Sequence, residues 1–484
     1  MKKVLAVLLV IVVAAGVFLY FPRGQVADAL SNAVLAVLDH GVFGQRGDQA
    51  EAPALDGEVF ATGDMVRADA EGRAVLTFFD GSTISVEPNS NVRVVSLAKT
   101  ASGGIQVTIE QTLGRTWASV SDLATPDSRF EIKTPSMTAI VRGTAFETIV
   151  ETLPDGTTTT TVKTGEGEVL VQAEAGGEVI VGADEQVEVA EDQPAPPAAE
   201  PQPPTPRLRF AAPPGTGFVV VDPRGLRCGA TGGSTERQIP RCDVAGGVVM
   251  IGEVVSGTYS LVMTAAQAAS GNIEVQGLGV AATDFTHRVA VSLNTADLVR
   301  LTLPVTLGGD GKLGSAGFTN PELVTSVCGA EVAGRVFSGG TMEERSSQLE
   351  QFALANKGQT VAFVVTADEI ATAMQEGLAQ GQTPVPVSDL RFTIDNAGLH
   401  LSAQIAAGPL TVPVRADLIV GSLDGKLVVR LRSLDAGIVP DALKQQVAQA
   451  IEAAVADAGS DFPVTVERVS LRTGCLAVIG TTPR

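Results

Sequence analysis

Residues 130–146 constrain this chain most, because they admit only short extended segments joined at corners. Phe130 and Ile132 alternate with Glu131 and Lys133, the two-residue period of a half-buried strand. Pro135 holds Thr134 extended and removes a ladder donor, so Thr134-Pro135 marks a corner. Ile140 and Val141 restart a strand, and Gly143, between Arg142 and Thr144, predicts a bulge or a close backbone approach. Arg142 either contacts a partner or pairs with Glu131 or Glu147 on neighbouring strands. Asp80, ahead of Gly81, has the same two readings, turn former or ligand contact.

The pattern repeats on both sides. Ala74, Leu76 and Phe78 alternate before Asp80-Gly81, and Ile84 and Val86 continue after it. Pro154-Asp155-Gly156 separates residues 147–151 from a β-branched run at 157–162, a hairpin with its turn chemistry present. With 52 Gly and 26 Pro, the composition suits short strands and turns. The expected fold class is mainly β and multidomain, since 484 residues exceed one ordinary core. Residues 55–190 would form an antiparallel sandwich or jelly roll.

Lys2 and Lys3 precede an uncharged apolar run from Val4 to Phe21. Residues 1–24 therefore read as an uncleaved signal-anchor transmembrane helix, with a cleaved signal peptide as the competing reading. The expected localisation is a single-pass cell-membrane protein whose bulk is extracytoplasmic. Val26, Leu30, Val34, Leu35 and Leu38 recur at helical spacing, which predicts a juxtamembrane helix and linker over 25–54. Residues 191–215 are a proline-rich linker, 216–307 a second β-sandwich, and 308–359 a connector with a helix opened by Thr341 and Glu344. Residues 360–484 read as an α+β domain with an antiparallel sheet and long helices. A second capping-box pattern, Thr366 and Glu369, opens its first helix, where Ile370, Met374 and Leu378 share one side; Leu443, Val447 and Ile451 form a narrow stripe on the second. Between them an apolar-ligand groove would lie; the competing reading is an ordinary core.

The net charge of −20 argues against nucleic acid and against docking on anionic lipid. Cys228 and Cys242 enclose a short loop and are expected to pair; Cys328 and Cys475 are left to each other or free. The histidines, His40, His287 and His400, lie far apart, and no metal or cofactor motif is present. Gly309, Gly311 and Gly314 fit a dinucleotide-loop pattern, but no helical pattern follows, so a turn is expected. No catalytic constellation appears, and the chain is read as a non-enzyme.

The Thr134-Pro135 corner with Val141-Arg142-Gly143-Thr144 resembles the signature of FecR-type periplasmic domains. Arg73-Ala-Val-Leu-Thr-Phe-Phe-Asp-Gly-Ser82, Leu113-Gly-Arg-Thr-Trp117 and Gly165-Glu-Gly-Glu-Val169 extend the likeness across residues 55–190. The resemblance implies a sensor or scaffold of the cell envelope. Its relatives reach a sigma factor through a cytoplasmic segment ahead of the membrane helix. Only Met1-Lys2-Lys3 stands there in this sequence, so no direct sigma-factor contact is expected. Residues 360–480 resemble YpmS-like and LmeA-like lipid-binding domains through Val387-Ser-Asp-Leu390, Leu399-His-Leu-Ser402 and Gly437-Ile-Val-Pro440. The expected partners are thus the membrane and an envelope protein, a glycan or a lipid. Lipid carriage, with the FecR-like domain as docking module, is the alternative function.

Overall fold

The computed structural model describes residues 32–483 except 101–103, 122–124, 126, 232–233, 295–297, 320, 380–386, 396–397, 408–409 and 436–461. The expected membrane helix, residues 1–24, lies outside the described residues, as does the stripe at Leu443, Val447 and Ile451. Among the described residues no helix is long and apolar enough to cross a membrane. The architecture is mainly β, with several sheets. Two compact units divide the chain: one holds residues 29–54 and 60–324, the other Leu55–Val59 and Thr325–Arg484.

In the first unit, two sheets share the long strand Ile105–Ser119. Its C-terminal half lies between Thr83–Val86 and Ala145–Thr152 in one sheet. Its N-terminal half lies between Ser90–Lys99 and Arg129–Lys133 in the other, parallel to the latter. The strand changes sheet at Gly114, whose φ is +85°. A Cβ there would sit 2.5 Å from Ser90 Cα and 2.4 Å from Asn89 O, so only glycine fits. Val92, Val107, Ile109, Phe130, Val141, Phe146 and Val171 fill the core between the sheets.

The predicted helix at 25–54 is a misreading over its described part. Residues 33–39 form the strand Ala33–Asp39, antiparallel to Arg73–Phe78. Ala33 and Leu35 enter the core between the two sheets. Ala36 and Leu38 pack against a second core, with Leu208, Phe218 and Leu261. A strand buried on both faces carries an unbroken apolar run, which periodicity cannot tell from a helix. Val42–Gln45 and Ala52–Pro53, read as linker, are paired strands as well.

The second core belongs to residues 207–324. A five-stranded sheet runs Cys242–Ala245, Val248–Ile251, Arg207–Ala211, Ala269–Leu278 and Thr283–Leu293. It faces a sheet in which Thr216–Val221, Gly257–Ala265 and Leu298–Leu307 are neighbours. The proline-rich tract therefore ends as a central strand: Arg207–Ala211 has no proline, its amides can pair, and Leu208 and Phe210 are fully buried. Cys228 and Cys242 are bonded, with Cα atoms 6.3 Å apart.

In the second unit, Cys328 pairs with Cys475 at a Cα separation of 5.5 Å. One four-stranded sheet is built from Arg335–Phe337, Thr360–Thr366, Cys475–Thr481 and Thr465–Arg472. The other is the antiparallel meander Val387–Asp395, Gly398–Ala407, Leu410–Leu423 and Lys426–Asp435. Both capping boxes form as the sequence predicts. Thr341 Oγ1 accepts from Glu344 N at 3.2 Å to open the helix Met342–Ala355. Thr366 Oγ1 accepts from Glu369 N at 3.3 Å to open Ala367–Ala379.

Candidate functional site

The signature residues are structural joints. Thr134 N donates to Met137 O at 2.8 Å, closing a tight turn around Pro135. The hydroxyls of Thr134 and Ser136 both meet Thr160 Oγ1, at 2.8 and 2.7 Å, which ties the turn to the other sheet. Gly143, with φ +84°, is the corner where the chain passes between the sheets rather than a bulge within one. Gly167 makes a matching corner beside it, its Cβ position 2.9 Å from Thr144 Oγ1. Thr144 Oγ1 locks the pair by donating to Glu168 O at 3.0 Å.

Arg142 pairs with neither Glu131 nor Glu147; its guanidinium donates to Thr125 O at 2.7 Å. Those two carboxylates already hold Arg129 and Arg115. Asp80 is a turn former: its carboxylate accepts from Ser82 N at 3.1 Å and Ser82 Oγ at 2.7 Å, with Gly81 at φ +87°. Ile370 is buried in the core of the second unit with Phe363 and Phe392. Met374 and Leu378 lie on the helix Ala367–Ala379, and their side chains fall outside the described residues.

The polar chemistry gathers elsewhere. One row of directly opposed residues runs across five strands of the first sheet: Ser85, Trp117, Glu147, Lys163 and Gln186. Their common face looks onto the second sandwich. Trp117 Nε1 donates to Arg237 O at 3.2 Å and Ser85 Oγ to Gln238 O at 3.3 Å. Arg115, two residues along, spans Glu147 and Glu253. Lys163 Nζ lies 3.4 Å from the second oxygen of Glu147. Glu253 also receives Arg224 Nη1 at 2.7 Å, and Arg224 Nε reaches Asp222 at 2.7 Å.

Burial opposes the charges of Glu253, Arg115 and Asp222, and opposite charges outweigh it in the first two. Glu253 is raised by burial but held below the usual carboxylate range by Arg115 and Arg224. Burial disfavours the Arg115 cation, yet Glu147 and Glu253 hold its pKa above the ordinary value. In Asp222 burial wins, and its pKa is raised despite Arg224. Glu87 Oε1 and Arg224 Nη2 are among the buried side-chain atoms that have no hydrogen-bond partner among the described residues.

Above the row lies a cavity of ≈ 200 Å³. Glu147, Lys163 and Gln186 line one side; Thr205, Arg241 and Glu253 line the other, with Pro203, Pro206, Val254 and Leu307 supplying apolar wall. Sequence reading missed this site. Arg115 stood inside the quoted Leu113–Trp117 stretch, but Glu253 is 138 residues away and no local pattern marks it.

No curated protein matches this chain. Two crystal structures of a protein from Parabacteroides distasonis ATCC 8503, provisionally named an anti-sigma factor, are similar to 28% of it, at 14% and 15% identity with TM-scores of 0.24 and 0.23. This chain spans 59% of the length of each. The family model described as FecR protein matches residues 64–170, the two-sheet region bearing the three glycine corners. The chain carries a FecR domain.

Proposed function

We propose that this chain is a membrane-anchored extracytoplasmic binding protein of the cell envelope, signal-related and without catalytic activity. The observation that carries the reading is the cavity, apolar with a few placed charged groups, that the FecR domain and the sandwich that follows it wall jointly. Binding sites favour such junctions, where a concave surface gathers a few placed polar groups. All four cysteines are bridged, which supports an oxidising compartment. The apolar run from Val4 to Phe21 supports the anchor. The full chain, titrated with fractionated envelope extract, is expected to show a thermal shift with one fraction and to return its components chemically unchanged by mass spectrometry. No shift with any fraction sinks the binding reading, and a converted component sinks the non-catalytic one. Lipid carriage by the C-terminal unit is the second reading, favoured by the helix Ala367–Ala379 lying against the strand Val387–Asp395. Mass spectrometry of copurifying lipids tests it.

A further inference from the structure

We infer that the cavity over Glu147, Lys163 and Gln186 takes a neutral saccharide unit, an inference that rests on the binding reading above. The charges of the lining are matched internally. Glu147 is shared by Arg115 and Lys163, Glu253 by Arg115 and Arg224, and Arg241 reaches Asp184 at 3.2 Å. An ionic ligand would bring a charge for which the lining has no unmatched counter-charge, which is costly at a partly buried site. A polyol brings no charge. Each carboxylate oxygen accepts more than one hydrogen bond, and lysine and arginine carry several donors. The lining therefore presents acceptors and donors side by side, which is the demand of a ring of hydroxyls.

The rest of the wall agrees. Pro203, Pro206, Val254 and Leu307 offer an apolar surface for the C–H face of a pyranose. The cavity volume of ≈ 200 Å³ is the share of about seven waters, room for one sugar ring. Lys163 and Gln186 sit opposite one another on adjacent strands, so both are held by the sheet rather than by a loop.

The test is saturation-transfer NMR on the full chain with glucose, galactose and N-acetylglucosamine as neutral probes, and glucuronate and glucosamine as charged ones. At least one neutral sugar should receive saturation. The signal should fall at least fivefold in Gln186→Trp, which fills the cavity, and in Lys163→Met, which removes a donor while keeping bulk. Circular dichroism reports whether each variant is folded. Transfer to charged probes alone, to no probe, or unchanged transfer in both folded variants overturns the inference. If no sugar binds while Gln186→Trp abolishes the thermal shift with envelope extract, the binding reading survives and the saccharide alone is lost.

Discussion

Arg115 is one guanidinium on which two carboxylates from distant parts of the chain depend. Glu147 is 4% exposed and Glu253 partly buried, so removing the cation leaves both without their main partner. Arg115→Met is expected to lower stability by about 2 kcal/mol, less than for a fully buried pair because a third of the arginine side chain meets solvent. The loss should grow with rising pH through the carboxylate range, since the ionised Glu253 then keeps Arg224 but has lost Arg115. Urea midpoints at pH 4 and pH 7 check both statements. His400 supplies the opposite sign in the second unit. Its ring meets Asp417 at 2.8 Å and Asp395 at 3.0 Å. The bond to Asp417 leads in pushing its pKa up to about 9, with Asp395 adding to it against partial burial. A raised histidine pKa stabilises the folded state fully below the unfolded value near 6.5, and that contribution is lost as pH climbs through about 9. Partial exposure limits the effect to about 1 kcal/mol. His400→Asn should flatten the decline of the second unit's stability between pH 6.5 and 9; an unchanged slope would show the ion pairs contribute nothing there.

At the scale of elements, the FecR domain is organised by three glycine corners, Gly114, Gly143 and Gly167, where the chain leaves one sheet for the other. They are not equal to a turn glycine. Gly114 combines φ +85° with backbone atoms of Asn89 and Ser90 inside 2.6 Å of where a Cβ would go. Gly156, at φ +89° in the hairpin after Pro154, has nothing within 4 Å. Gly156→Ala should therefore cost only the backbone strain, about 1 kcal/mol, and Gly114→Ala distinctly more, about 3 kcal/mol or failure to fold. Thermal unfolding of the two variants side by side decides it. This contrast also shows what sequence reasoning reaches. The Asp80-Gly81 and Pro154-Asp155-Gly156 turns and both capping boxes were legible, because their chemistry closes within a few residues. Ala33–Asp39 was not, because Ala33 and Leu35 serve one core while Ala36 and Leu38 serve another. Nor was the candidate site. The row Trp117, Glu147, Lys163 and Gln186 exists only once strand register is set, and register across 70 residues leaves no local trace.

For the whole molecule, the division into units does not follow the order of the chain. Residues 29–54 and 60–324 form one unit, yet the five residues between them, Leu55–Val59, belong with Thr325–Arg484. Leu55 is fully buried, and the strand Leu410–Leu423 makes room for it with Gly421, whose Cβ position lies 3.0 Å from Leu55 Cβ and 2.9 Å from Asp56 O. A side chain next to the FecR domain in sequence thus completes the packing of the C-terminal unit. Leu55→Ala should cost roughly 2–4 kcal/mol, the range for emptying a filled aliphatic site, and the loss should fall on the second unit. Gly421→Ala, by crowding Leu55 and Asp56 from the other side, should act in the same direction. The single tryptophan, Trp117, lies in the first unit and serves as its reporter. In a thermal scan followed by fluorescence and far-ultraviolet dichroism together, the Trp117 midpoint should stay in place while the remaining dichroism transition moves down by several degrees. If instead the Trp117 midpoint falls with Leu55→Ala and the other transition holds, Leu55 stabilises the first unit and the assignment of Leu55–Val59 to the second is wrong.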